Sequence, residues 1–371
     1  MRRWAILLLA SALIGTLAFY LGAGVKTLPK AFTASADLMA DLSIPDPVPG
    51  RSRQMWLDSG QYSLGDSLDT TGGQAFGLIE DVTVMRDGRL AILDSRLNRV
   101  AVYSHSGSYL FSVGRPGRGP GELAVPKALA SSRDNHLYIL DAGNRRISDY
   151  ILAGDTATQH VGDYQIPFDP RDICVVDSFV VVLGSYAGRI VHVYRPPARE
   201  PVKSFGLPFA PQNPLLEGTL SNGLLVCDSQ RRSVYVTSRV LPDLRAYSLD
   251  GALQWRTGVP SFRRMVARQV EDGGLRLVHP AGGKSDYVTS LSLQDSSIIV
   301  QFGPKERRQA LGLDSANTAI FDAPSGRFLG ARAGFPVFIA MSGLALQPRW
   351  DPFPRLVVGS IRIGTSDGSD N

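Results

Sequence analysis

The chain has 371 residues, of which 44% are hydrophobic and 20% charged, with 38 glycines and 24 prolines. This composition is typical of a packed protein with many tight turns, and it disfavours a helical or disordered chain. The length admits a single large all-β domain. The net charge of +5 is small, and the arginines are scattered without interleaved aromatic residues, so we expect no nucleic-acid partner.

The N-terminus carries an uncharged apolar stretch, Trp4 to Val25, directly after Arg2 and Arg3. Its length matches the roughly 20 apolar residues of a bilayer-spanning helix. We expect an uncleaved anchor with the arginines in the cytoplasm and the remaining chain in the periplasm. Small residues at 22–24 leave a cleaved signal peptide and an exported protein as the alternative.

The remaining chain divides by composition. Residues 26–53 contain four prolines without sustained periodicity, which indicates a spacer. Residues 54–364 repeat short apolar or alternating runs separated by turn residues, which indicates one all-β domain. Residues 365–371 form a polar tail. The predicted division is therefore an anchor or signal peptide at 1–25, a spacer, a β domain and a tail.

Residues 78–167 contain two copies of a four-strand pattern. The predicted strands of the first copy are Asp81–Met85, Arg89–Asp94, Arg99–Ser104 and Tyr109–Gly114. The pieces DSRLNRV and DAGNRRI occupy the same turn in the two copies and begin 47 residues apart, at Asp94 and Asp141. This period is close to that of four-stranded propeller blades.

The linker GRPGRGPGEL (Gly114–Leu123) followed by LYILDAGNRRI (Leu137–Ile147) resembles the NHL repeat, although Leu123 replaces the family's usual Phe. The resemblance implies an all-β, six-bladed β-propeller with four-stranded blades. It extends over about two blades of the chain. The glycine-rich linker has a physical reason, because the path from one blade to the next needs backbone angles that are open mainly to glycine.

The later blades are predicted from the regular spacing of strand-length apolar runs. The strand order of the fourth blade is left open. They are read at Asp172–Phe205, Glu217–Thr257, Tyr287–Gly334 and Pro336–Ile363. The last of these lacks an outer strand, and Gln54–Leu64 is expected to supply it and close the ring. Before the fifth blade, apolar residues at helical spacing in Phe262–Val270 predict a short amphipathic helix.

The sequence contains few residues of the kinds that catalyse reactions or bind metal ions. Cys174 and Cys227 each lie in an apolar run, which favours buried inert thiols over a disulfide. The five histidines are isolated from one another, so we expect no metal site and no cofactor.

Polar turns that carry arginine recur and are expected to converge on one end of the ring, bordered by the predicted helix. Convergent guanidinium groups would bind an acidic protein surface, a peptide carboxylate or an anionic glycan. The alternative is that these side chains brace one blade against the next. The candidate binding residues are Arg96, Asn98, Arg99, Asn144, Arg145, Arg146, Arg231 and Arg232.

Two functional classes remain open. The pattern favours a noncatalytic binding or scaffolding propeller outside the cytoplasm, anchored through its N-terminal helix and directed at a protein, peptide or glycan. The alternative is a metal-dependent propeller enzyme of the lyase or lactone hydrolase type. No catalytic residue is proposed from the sequence.

Overall fold

The computed structural model describes residues 37–65, 74–154, 157–211, 213–270, 274–280, 283–304, 315–350 and 353–365. Within these residues the strands form six four-stranded antiparallel sheets and one two-stranded sheet. The first strands of the six large sheets contact one another in a ring. The predicted six-bladed β-propeller with four-stranded blades is confirmed.

The blades follow one another along the chain, and each begins at the central channel. Blade 1 consists of β2 (Ile79–Val84), β3 (Leu90–Asp94), β4 (Arg99–Tyr103) and β5 (Tyr109–Val113). Blade 2 consists of β6 (Pro126–Ser131), β7 (His136–Asp141), β8 (Arg146–Ala153) and β9 (Ala157–Gln165). Blade 3 consists of β10 (Asp172–Val176), β11 (Phe179–Tyr186), β12 (Arg189–Tyr194) and β13 (Lys203–Phe205).

The second half of the ring continues this order. Blade 4 consists of β14 (Gly223–Asp228), β15 (Ser233–Ser238), β16 (Asp243–Ser248) and β17 (Leu253–Gly258). Blade 5 consists of β20 (Asp286–Gln294), β21 (Ser297–Pro304), β22 (Ala316–Asp322) and β23 (Phe328–Phe335). Blade 6 consists of β24 (Ile339–Met341), β25 (Leu344–Arg349), β26 (Arg355–Gly364) and β1 (Gln54–Leu64). A short helix α1 (Pro214–Leu220) precedes blade 4, and a 3-10 turn spans Ala142–Asn144.

The burial of each strand follows its place in a blade. All five residues of β3 are buried, because a second strand has a neighbouring blade packed on each of its faces. The outer strand β17 begins with two exposed residues. Continuous apolar runs such as LAILD therefore mark inner strands, whereas mixed runs mark outer ones.

The ring closes through its first strand, as the sequence indicated. β1 pairs antiparallel with β26, with Met55 opposite Ile363. Met55 and Leu64 are each 3% exposed, so this outer strand contributes to the core. A blade made from distant parts of the chain leaves the propeller without an open seam.

The chain before β1 lies against the propeller. Leu38 donates its backbone N–H to Ala267 O at 2.9 Å, and Phe328 donates its N–H to Val48 O at 2.8 Å. Met39 is fully buried. Residues 37–53, which belong to the expected spacer, thus follow blades 4 and 5 before they enter β1. The division into anchor, spacer, domain and tail stays a prediction.

The apolar segment Trp4–Val25 lies outside the described residues. Among the residues that the structure does describe, no helix has the length and apolar character needed to cross a membrane.

The predicted helix at Phe262–Val270 is wrong. This stretch contains β18 (Val266–Gln269), which pairs with β19 (Leu275–Val278) as a two-stranded hairpin between blades 4 and 5. Met265 and Ala267 are buried, at the spacing of two that a strand gives. A short apolar segment can fit the residue spacing of a helix and also that of a strand. Here hydrogen bonds with residues 37–39 favour the strand.

The expectation of two inert thiols is also wrong, because Cys174 and Cys227 form a disulfide. The two residues lie on β10 and β14, the inner strands of blades 3 and 4, with a Cα–Cα distance of 5.7 Å. Neighbouring inner strands contact each other along the channel, which brings these distant sequence positions together.

Candidate binding site on the upper face

The antiparallel blades give the propeller two different ends. We call the end at which the inner strands begin the upper face; it also carries the turns between second and third strands. The lower face carries the turns between first and second strands. Residues 95–98 and 142–145 lie between second and third strands and are therefore on the upper face.

The predicted arginines do not converge on one end. Arg231 and Arg232 lie in the turn between β14 and β15, a first and a second strand, and so belong to the lower face. The piece DSQRRSV resembles the turns of blades 1 and 2 but follows a different strand. Blade 4 was the one whose strand order the sequence left open, which explains the error.

Arg146 is a bracing residue. It is 5% exposed, and its Nε donates to Asp141 Oδ2 at 2.9 Å while Nη1 donates to Asp163 Oδ2 at 3.0 Å. Its Nη2 donates to the carbonyl oxygen of Gly119, in the linker, at 2.8 Å. The guanidinium group therefore ties blade 2 to the glycine-rich linker that precedes it.

Several other candidates also have structural partners. Arg99 donates to Ala75 O at 2.7 Å, and Asn144 donates to Asp141 Oδ2 at 2.6 Å. On the lower face, Arg231 pairs with Asp228 at 2.8 Å, and Arg232 pairs with Asp177. Many of these side chains therefore hold parts of the propeller together, which was the alternative to ligand binding. Arg96 and Arg145 are the two predicted arginines that are exposed on the upper face.

The linker between blades 1 and 2 is folded around Glu122. The carboxylate accepts the backbone N–H of Gly119 at 2.8 Å and the Arg115 side chain at 3.1 Å. The hydrogen bond from Gly119 and the nearby Arg115 lower the pKa of Glu122. A Cβ at Gly117 would overlap this carboxylate, and Gly117 has a φ of 154°. Glycine is therefore required here by close approach as well as by backbone angle.

An apolar depression of about 890 Å³ lies beside this linker on the upper face. Leu97 and Val125 line it and are 42% and 59% exposed. The cations Arg96 and Lys127 line the same depression. Further lining comes from Phe76, Leu78, Trp350 and Pro354. Exposed aliphatic side chains flanked by cations are typical of a protein-binding surface.

The backbone at this depression is held from both neighbouring blades. Asn98, a predicted site residue, accepts the Val125 N–H on its side-chain Oδ1 at 2.9 Å. Ala124 donates its N–H to Asp141 Oδ1 at 2.7 Å. Asn98 therefore shapes the depression through Val125.

The central channel contains a cavity of about 330 Å³ that is lined by all six inner strands. Lys127 and Glu80 line both spaces. Arg171 and Arg239 are the other cations of the channel wall, also near its upper end. The mouth of the channel is therefore predominantly basic.

Two carboxyl groups face the channel below this mouth. Burial, with repulsion from Asp172, raises the pKa of Asp81 to about 8. Burial likewise raises the pKa of Asp172 to about 6, although backbone hydrogen bonds from Leu225 and Ile173 oppose it. Groups with such pKa values can exchange protons near neutral pH, which is a property of many functional sites.

The described residues hold no group of three or more His, Cys, Asp and Glu side chains arranged to bind a metal ion. The histidines of blades 2 and 3 have local partners. His136 contacts Asp149 at 2.7 Å and His160 contacts Asp163 at 3.1 Å. His192 is fully buried, and burial lowers its pKa.

Sequence reasoning missed Leu97 and Val125, because single apolar residues in turns carry no periodic signal. It also missed Lys127, a lone cation on the first strand of blade 2. It also missed Asp81 and Asp172. These two could have been found, since each opens the apolar run of an inner strand, in DVTVM and DICVV.

Comparisons with known proteins agree with this architecture. The sequence profile of DUF5128, described as a 6-bladed beta-propeller, matches residues 67–178, which contain blades 1 and 2. No curated protein matches the chain. Among solved structures, a member of the duf4221 family from Bacteroides vulgatus is 9% identical with a TM-score of 0.50, over 84% of this chain and 99% of that one.

Two further solved structures align with most of this chain. Virginiamycin B lyase from Staphylococcus aureus is 12% identical with a TM-score of 0.46, over 83% of this chain and 99% of that chain. Kuenenia stuttgartiensis hydrazine synthase is 12% identical with a TM-score of 0.46, over 76% of each chain. At these identities the similarity concerns the fold alone. The chain is thus a six-bladed β-propeller, similar in sequence to DUF5128 over its first two blades.

Proposed function

We propose that this chain is a noncatalytic, extracytoplasmic binding or scaffolding propeller that holds an acidic protein or peptide on its upper face. The observation that carries the proposal is the position of Arg96 and Lys127 beside the exposed side chains of Leu97 and Val125. Apolar contacts would supply affinity, and the cations would select and orient a negatively charged partner.

Two cations, Arg96 and Lys127, and one acid, Glu80, line the depression, and this excess of positive charge supports an anionic partner. Exposed cations of this face include Arg96, Arg118, Arg145 and Arg189. Several acids of the same face are engaged with the protein itself. Asp94 and Asp141 are fully buried and accept backbone N–H groups, and the exposed Asp169 pairs with Arg171 at 2.8 Å. An anionic glycan would use the same cations but not the aliphatic side chains.

The location outside the cytoplasm is part of the proposal. The disulfide between Cys174 and Cys227 supports it, because disulfides persist mainly in oxidising compartments. The uncharged segment Trp4–Val25 after two arginines supports an anchor in the inner membrane with the propeller in the periplasm. The linker and turns of blades 1 and 2 support an NHL-type repeat.

Site-specific photo-crosslinking in the native host tests the binding face. A photoreactive phenylalanine analogue at Leu97 should capture a specific acidic partner. The same analogue at Val161, an exposed position on the outer strand of blade 2, serves as the matched control. Capture at both positions, or at neither, would contradict binding at the upper face.

A charge-reversal pair tests the electrostatic part. Arg96→Glu/Lys127→Glu should abolish the crosslink from Leu97. Arg133→Glu/Arg199→Glu makes the same change in charge at exposed residues of lower-face turns and should leave the crosslink intact. Equal yields in the two variants would refute an acidic partner.

A metal-dependent lyase or lactone hydrolase is the second candidate, and the observation that favours it is that Asp81 and Asp172 both line the channel with raised pKa values. Elemental analysis of dialysed protein separates the candidates. A stoichiometric divalent metal that is lost in the Asp81→Asn/Asp172→Asn variant would favour the enzyme.

A further inference from the structure

Val125 combines an unfavourable backbone conformation with the exposure of an apolar side chain to solvent. Its φ is 52°, and its side chain is 59% exposed. Among the ten non-glycine residues with positive φ in the described part of the chain, it is the single β-branched one. For β-branched residues this region is strongly disfavoured, because the branched Cβ collides with the backbone.

The blade architecture does not impose this conformation. Leu78 occupies the same place in blade 1, 47 residues earlier in the chain. The residues just before them also correspond: Gly77 donates its N–H to Asp94 and Ala124 donates its N–H to Asp141, so both linkers are fastened to the matching aspartate. Leu78 nevertheless does not have a positive φ. The strain at Val125 is specific to the linker between blades 1 and 2.

Contacts from two blades hold the strained segment in place. Asn98 of blade 1 accepts the Val125 N–H at 2.9 Å. Gly143 of blade 2 donates its N–H to the Ala124 carbonyl oxygen at 2.8 Å, and a Cβ at Gly143 would overlap that oxygen. The result is an aliphatic side chain fixed at the surface, which lines the depression together with Leu97 and Lys127. Backbone strain maintained by neighbouring elements is a recurring property of binding sites.

We propose that Val125 is a preorganised anchor for an aliphatic or aromatic side chain of an acidic peptide segment, and that Asn98 is the residue that positions it. The inference rests on the proposed function and specifies its partner. The apolar side chain of the partner packs on Val125, Leu97 and Trp350, while flanking carboxylates bind Arg96 and Lys127. Because the anchor is already ordered, binding does not have to order it.

Fluorescence anisotropy with the full-length protein tests this inference. The probe is a short fluorescein-labelled peptide with two leucines flanked by glutamates. One matched peptide has serines in place of the leucines, and another has glutamines in place of the glutamates. Wild type should bind the first peptide more tightly than either matched peptide.

Val125→Gly gives the deciding measurement, because glycine tolerates positive φ but has no side chain to contact a partner. We expect a Tm equal to or above that of wild type and a Kd about tenfold weaker, which corresponds to about 1.4 kcal/mol. Ser342→Gly is the matched control, since Ser342 has a φ of 54° and lies in a lower-face turn. It should leave Kd unchanged.

Asn98→Ala tests the positioning role. In the wild-type background this substitution should weaken binding of the peptide with leucines and glutamates. In the Val125→Gly background it should have no further effect on Kd, because Asn98 acts through Val125. A lower Tm with unchanged Kd in Val125→Gly would show a packing role and overturn the inference. Val125→Gly could weaken binding while the peptide with glutamines binds wild type as tightly as the peptide with glutamates. This result would support Val125 as the anchor and would contradict an acidic partner.

Discussion

The side chain of Asp81 joins the inner strands of blades 1 and 2, since its Oδ2 accepts the backbone N–H of Leu129 at 2.7 Å. Asp172 makes the same connection from blade 3 to blade 4, where its Oδ2 accepts the N–H of Leu225 at 2.8 Å. Each carboxyl group also accepts the N–H of the following residue in its own strand. The protonation of these two carboxyl groups in the channel should therefore affect the stability of the ring.

Stability should fall as the pH rises through the neutral range. The pKa of Asp81 is raised from 3.8 to about 8 and that of Asp172 to about 6, so the folded state binds protons that the unfolded chain has released. The contribution is complete at acidic pH and is lost between about pH 4 and pH 8, with a slope of at most about 1.4 kcal/mol per pH unit for each proton. Urea unfolding measured from pH 5 to pH 9 checks this dependence.

Asp81→Asn should reduce the slope, because the asparagine does not ionise. Asp134→Asn removes the same charge from an exposed lower-face turn and should leave the slope as in wild type. An Asp81→Asn variant with the wild-type slope would contradict the role assigned to this carboxyl group.

Loss of the disulfide should destabilise the propeller without changing its upper face. The bond between Cys174 and Cys227 closes a loop with a sequence separation of 53. In the chain-entropy treatment a loop of this size contributes about 4 kcal/mol. The Cys174→Ser/Cys227→Ser variant should lose stability of that order in urea unfolding and retain the affinity for the glutamate peptide. A loss below about 1 kcal/mol would mean that the unfolded chain gains little freedom from the change.

Two adjacent arginines should behave in opposite ways. Arg146 is buried with Asp141 and Asp163, so Arg146→Ala leaves uncompensated charge and should cost about 3–5 kcal/mol of unfolding free energy. Arg145 is exposed, and Arg145→Ala should change stability by no more than about 0.5 kcal/mol. Similar stability losses in both variants would contradict the distinction between bracing and exposed arginines.

The sequence was informative where the repeat is regular. The turns after Asp94 and Asp141 share residues and spacing, and blades 1 and 2 were predicted from them together with the number of strands in a blade. The pairing of Gln54–Leu64 with the end of the chain followed from counting strands. These inferences depend on local patterns and on the need to protect sheet edges.

It was less informative where tertiary context decides. The turn at Asp228 resembles those at Asp94 and Asp141 but follows an inner strand, which moves Arg231 to the opposite face. The hairpin at Val266–Gln269 is fixed by contacts with residues 37–39. The exposure of Val125 depends on a hydrogen bond that its backbone N–H donates to Asn98, 27 residues earlier. No local pattern in the sequence carries this information.

The closing strand β1 offers a sharp test of ring closure, because its neighbouring residues face opposite environments. Met55 is 3% exposed and packs in a core cluster with Ile361 and Phe338, whereas Trp56 is 43% exposed. Met55→Asp would place an unpaired charge in that core, so we expect a loss of about 3 kcal/mol or more of unfolding free energy. Trp56→Asp introduces the same side chain one position along the strand and should cost about 1 kcal/mol or less. Chemical unfolding of both variants, followed by far-UV circular dichroism, provides the measurement. If Met55→Asp were as stable as Trp56→Asp, β1 would not be a closing strand of the ring in solution.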